Sequence, residues 1–135
     1  MTDARSIPMP PATRRALWAV VTGLLLVTLA ACGGGSSATA QPAGSTKVSM
    51  SEFKFTPGTV DVKSGATLFL VNDGSVAHDL VVTDSGGAVK ARSSLVQPGS
   101  SATLSLGGLP AGAYRFVCDV PGHKDAGMVG TLTVT

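Results

Sequence analysis

Tyr114-Arg115-Phe116-Val117-Cys118-Asp119-Val120-Pro121-Gly122-His123-Lys124-Asp125-Ala126-Gly127-Met128-Val129-Gly130-Thr131-Leu132-Thr133-Val134 is the stretch that decides the fold. Both ends alternate between apolar and polar residues, the period of a strand with one buried face. Pro121, Gly122 and Gly127 interrupt the middle, as a loop would. Three polarisable side chains punctuate this strand–loop–strand unit. Cys118 ends the first strand, His123 lies in the loop and Met128 opens the second strand, a Cys-x4-His-x4-Met spacing. No ordinary structural demand places a thiol, an imidazole and a thioether so evenly.

The same period recurs upstream. Further strands are expected at Lys47–Phe55, Thr59–Lys63, Thr67–Asn72, His78–Thr83 and Ala102–Leu106, beside Tyr114–Cys118 and Val129–Thr135, with a weaker one at Ala88–Ser94. Pro57-Gly58, Ser64-Gly65, Asn72-Asp73-Gly74, Ser85-Gly86-Gly87, Pro98-Gly99 and Leu109-Pro110-Ala111-Gly112 separate them as turns. In the first strand the inward parity of Val48 and Met50 passes to Phe53 and Phe55, which predicts a bulge near Ser51-Glu52. No segment reads as a long amphipathic helix. Short strands at this spacing predict an all-β, Greek-key sandwich or barrel of about seven to eight strands over residues 47–135.

The N-terminus reads as a targeting segment. Arg5, Arg14 and Arg15 flank an apolar run from Ala16 to Ala31, which ends in Leu29-Ala30-Ala31-Cys32. A basic flank, an apolar stretch and small residues before a cut describe a secretory signal peptide over residues 1–31. Leu-Ala-Ala-Cys resembles the lipobox of bacterial lipoproteins, and that resemblance implies lipid on Cys32. An uncleaved signal anchor is the other reading, and Thr13-Arg14-Arg15 leaves a twin-Arg export signal open. Residues 33–46, rich in Gly, Ser, Ala and Thr, then read as a flexible linker, with Cys32 as its lipid-bearing end. The expected location is outside the cytoplasm, tethered to the bacterial cell membrane. Without residues 1–31, which hold Arg5, Arg14, Arg15 and Asp3, the chain has equal numbers of basic and acidic residues. A nucleic-acid partner would need a basic stripe on the domain itself, so none is expected.

The chain has two Cys. If Cys32 carries lipid, Cys118 is the only thiol of an exported domain. Such a leftover Cys is intermolecularly paired, reactive or ligating, or else a small buried hydrophobe. His123 and Met128 favour a ligand. Thiolate, imidazole and thioether form the donor set of a mononuclear copper electron-transfer site, which requires one more His. The only other His is His78, at the start of an expected strand. A site using both parts would pin two sheets together at one end of the sandwich. Lys124, Asp125 and Asp119 read as solvated loop charges.

Tyr114-Arg115-Phe116-Val117-Cys118 resembles the Tyr-x-Phe-x-Cys strand of the cupredoxins, and Gly127-Met128-Val129-Gly130 resembles the Gly-Met-Val-Gly of plastocyanin. Cys118-x-x-Pro121-Gly122-His123 has the longer, azurin-like Cys-to-His spacing. The resemblance covers nearly all of residues 47–135. It implies one copper ion, with His78, Cys118 and His123 as equatorial ligands and Met128 as the weak axial one. The family often has Asn after its first His ligand, with its amide on the Cys sulfur; here that residue is Asp79. Tyr114 resembles a tyrosine corner, its hydroxyl bonding nearby backbone.

With four protein ligands no open coordination position is implied, so the expectation is a one-electron carrier and not an enzyme. It would be a monomer whose redox partners dock near His123, on a patch including Gly74, Val120, Pro121, Ala126 and Gly127. A copper-trafficking module is the alternative. A zinc site is disfavoured by the thioether.

Overall fold

The computed structural model describes residues 39–135. Cys32 and the proposed signal segment lie outside the described residues. Among those described there are nine strands: β1 (Thr46–Ser51), β2 (Lys54–Thr56), β3 (Thr59–Val62), β4 (Thr67–Asn72), β5 (Val81–Thr83), β6 (Val89–Arg92), β7 (Ser101–Ser105), β8 (Gly112–Val117) and β9 (Val129–Val134). They form two mixed sheets, ordered β2-β1-β4-β7 and β3-β9-β8-β5-β6. The all-β sandwich expected from the alternating pattern is therefore borne out.

The additional strand has a local cause. The expected strand Lys47–Phe55 is two strands, because Glu52-Phe53 forms a tight turn that pairs Ser51 with Lys54 and Met50 with Phe55. Phe53 adopts φ 59°, the left-handed region that turns the chain back on itself. The parity change is therefore a hairpin and not a bulge. Met50 and Phe55 still both face inward, buried to 0% and 3% exposure.

Alternate residues from both sheets fill the core, among them Val48, Leu70, Val82, Leu104, Phe116 and Leu132. β8 and β9 run antiparallel with Phe116 opposite Gly130. An added Cβ on Gly130 would lie 2.3 Å from the Phe116 ring and 2.7 Å from the Gly58 carbonyl oxygen. Gly130 is thus the recess into which Phe116 packs. The tyrosine corner forms as expected, with the Tyr114 hydroxyl donating to the Pro110 carbonyl at 2.9 Å.

Candidate metal centre

Strand register carries three chemically distinct groups to one end of the second sheet. Val117 pairs with Val81 on one side and with Val129 on the other. One step beyond, Cys118 lies beside Met128, and its N–H donates to the Met128 carbonyl at 3.1 Å. The Met128 N–H in turn donates to the His123 carbonyl at 3.0 Å, closing the loop between them. Gly122 and Gly127, at φ 83° and 99°, supply the two left-handed turns that this closure needs. His78 precedes β5 and is fixed by a two-way backbone bridge with Val96, at 3.1 and 2.8 Å.

His78 and Cys118 thus extend neighbouring strands of a single sheet. The expectation that the site pins two sheets together is corrected. The opposite sheet contributes the β1–β2 turn, whose Phe53 ring meets the His123 ring edge-on at 5.3 Å between centroids. Phe53 remains 47% exposed.

His78, Cys118 and His123 converge. Their Nδ1, Sγ and Nδ1 atoms are separated by 3.1 Å between the two imidazoles, 3.4 Å from Cys118 to His123 and 3.9 Å from Cys118 to His78. Donors that share an ion at about 2.0–2.3 Å lie about 3.3–3.8 Å from one another, so the three atoms fit one metal closely. All three residues are buried. Met128 is completely buried beside them.

Electrostatics agree with a ligand set. Burial first, and then the neighbouring His123, lower the pKa of His78, which keeps its imidazole neutral with a lone pair to give. Burial also raises the pKa of the Cys118 thiol. The Asp79 and Val120 backbone N–H groups oppose this by hydrogen bonding to the sulfur. A thiolate at this depth therefore requires a cation next to it.

Three further residues shape the site. Asn72, buried to 0% exposure, donates from Nδ2 to the Val76 and Val96 carbonyls at 2.7 and 2.8 Å, and its Oδ1 accepts the Gly74 N–H at 2.9 Å. It thereby holds both the approach to His78 and the residue bridged to it. The Asn-Asp-Gly turn was the available sequence signal. Gly74, expected on the docking patch, is half-buried; a Cβ there would lie 3.1 Å from His78 Nε2 and 2.9 Å from Glu52 Oε1. Glu52 accepts from the Ser75 N–H and from the Ser75 hydroxyl, the latter at 2.7 Å, and these bonds lower its pKa to about 2.

Asp119, expected as a solvated loop charge, is exposed but paired. Its carboxylate takes Arg92 at 2.6 Å, and its N–H donates to Asp79 Oδ1 at 2.6 Å. Asp79 stands where the family pattern often has Asn, and its carboxylate is taken up by the Asp119 N–H and Arg92.

The profile of copper binding proteins of the plastocyanin/azurin family matches residues 42–135. The chain is a cupredoxin. It is 34% identical over 87 residues to a plastocyanin from Scenedesmus fuscus, covering 59% of this chain and 85% of that one. It is 52% identical over 40 residues to a copper-resistant cuproprotein, CopI, from Pseudomonas aeruginosa, but that match covers 30% of this cupredoxin and spans only 22% of the relative. Among solved structures, reduced auracyanin from Roseiflexus castenholzii superposes with a TM-score of 0.60 at 19% identity, over 70% of this chain and 99% of that one. Copper is accordingly the cofactor of this cupredoxin, and the converging donor atoms are chemically suited to it.

Proposed function

We propose that this cupredoxin carries single electrons between redox partners outside the cytoplasm. The observation that carries the reading is the convergence of two imidazole nitrogens and one thiol sulfur within 3.9 Å of one another, all buried. His78, Cys118 and His123 would hold the ion, and Met128 would be a weak fourth donor. Copper supplies the Cu(II)/Cu(I) couple when bound. The protein's part is to keep the donors in place in both oxidation states. Two strand ends, the His78–Val96 bridge and the closed loop 119–127 do this. His123 lies nearest the surface of the three, under the exposed edge of Phe53. Electrons would therefore enter and leave by His123, with Phe53, Val120 and Pro121 offering the contact surface.

The test is spectroscopic. Parent protein loaded with Cu(II) should show an intense visible band and reversible voltammetry. Cys118→Ser should lose the band and keep its β-sheet circular dichroism. A Ser variant with an unchanged visible spectrum would overturn the assignment.

The second reading is copper handling, favoured by the match to a copper-resistant cuproprotein. A protein that binds Cu(I) tightly, stays colourless in air and lacks a reversible wave would support that reading over electron transfer.

We further propose lipid attachment at Cys32, on the strength of Leu29-Ala30-Ala31-Cys32 after a basic and apolar leader. Cys32→Ser should abolish metabolic labelling with a fatty-acid analogue and release the domain from membranes. Unchanged mass and fractionation in that variant would indicate a signal anchor instead.

A further inference from the structure

We infer that Arg92 is a positioning residue for the copper site, acting through Asp79 to join the chain just after one ligand to the chain just after another. The inference rests on copper being held by His78 and Cys118. Asp79 follows His78, and Asp119 follows Cys118. Asp79 Oδ1 accepts the Asp119 backbone N–H at 2.6 Å, which links the two ligand segments directly. Asp79 Oδ2 accepts from Arg92 at 3.1 Å, while the other arm of the same guanidinium reaches Asp119 Oδ2 at 2.6 Å. Arg92 stands on β6, an edge strand opposite Val81 of β5, and its side chain is 45% exposed against 9% for Asp79. The relay therefore has a wet outer end and a dry inner end.

The inner end is where a partner is needed. A buried carboxylate without a cation is strongly disfavoured. Asp79 also neighbours the Cys118 sulfur, which its backbone N–H reaches. A carboxylate so close to a thiolate repels it. The planar fork of Arg92 holds two carboxylates at once in a fixed geometry, which the compact, freely rotating ammonium of a Lys does not impose. Arg92 thus holds the Asp79 carboxylate in the orientation where its Oδ1 accepts the Asp119 N–H. It also screens the carboxylate from the thiolate.

Removing Arg92 leaves Asp79 unscreened beside the site, and negative charge there favours Cu(II) over Cu(I). Arg92→Gln should therefore lower the reduction potential and shift the visible band, while Asp79→Asn should raise the potential. In the Asp79→Asn background, Arg92→Gln should add little, because the only carboxylate then left to Arg92 is that of exposed Asp119, which solvent screens, and none remains beside the sulfur. Arg92→Lys should keep the potential nearer the parent value but lose urea resistance in the copper-free protein, since charge remains and the fork does not.

Voltammetry, visible spectra and copper-free unfolding of these variants decide the matter. A potential and band unmoved by Arg92→Gln overturn the inference, even if the copper-free variant is less stable, because the residue would then be merely structural. An equal shift in both backgrounds also overturns it, since the charge would then act at a distance and not through Asp79. A parent protein that takes up no copper overturns the copper assignment and this inference together. A coloured parent with an unresponsive Arg92 variant overturns this inference alone.

Discussion

Met128 is tied by its backbone to both Cys118 and His123, so its side chain starts from a fixed point beside the other donors. Packing alone would also explain a buried Met, because Met fills irregular gaps well. The two roles separate by substitution. A weak thioether donor tunes the couple without holding the ion, so changing it should move the potential and leave the colour. Met128→Leu removes a donor, which disfavours Cu(II), and the potential should rise. Met128→Gln supplies a harder oxygen, which favours Cu(II), and the potential should fall. Voltammetry on the pair checks this; potentials that fail to move in opposite directions would mark Met128 as core alone. Phe53 poses a related question. A bulky residue at φ 59° costs about 1–2 kcal/mol relative to an ordinary turn residue. Its edge contact with His123 returns about 0.5–1.5 kcal/mol, so the strained position is nearly offset by covering the ligand.

The β8–loop–β9 unit was legible in the sequence because each of its signals is local. Alternation placed the strands, Pro and Gly placed the loop, and the Cys, His and Met spacing placed three of the four candidate ligands. His78 was found by elimination, since the chain has only two His. What was not legible is what depends on pairing between distant segments. The β1–β2 hairpin was hidden because its two-residue turn carries Glu52-Phe53 instead of Asn-Gly or Asp-Gly. The placement of both His78 and Cys118 on one sheet follows from β5 pairing with β8, which periodicity does not encode. The charge relay is not legible either, because Arg92, Asp79 and Asp119 are far apart in sequence and meet only through the pairing of β5 with β6 and β8. Gly130 shows the same limit. Its place in a Gly-Met-Val-Gly stretch marks it, but the reason is the Phe116 ring across the ladder. Gly130→Ala should therefore destabilise by about 1–3 kcal/mol through overpacking. The upper end is expected, because the Gly58 carbonyl blocks the new methyl on the other side. Urea unfolding of the copper-free protein measures it, and a loss under about 0.5 kcal/mol would show that the β8–β9 contact yields more easily than this packing implies.

Copper and the fold must support each other, but to different degrees. The described core is apolar and continuous across both sheets, and most of it lies away from the donors. It includes Val60, Val62, Leu104 and Val134, none of which takes part in the site. The copper-free protein should therefore fold, unlike a small domain whose only core is its metal. Loading should still raise stability, because the donors come from segments brought together only in the native register. An ion that binds the native state alone adds about 4 kcal/mol when free copper is a thousandfold above its dissociation constant. The gain should act most on the β5, β8 and β9 end of the second sheet, where His78, Cys118, His123 and Met128 meet. Thermal unfolding with and without copper, followed by chelation, tests the total gain. Amide exchange tests its location, with protection expected to rise first at Cys118, Met128 and the His78–Val96 bridge. A midpoint that ignores copper, or protection that rises evenly over both sheets, would contradict a site built on those strand ends.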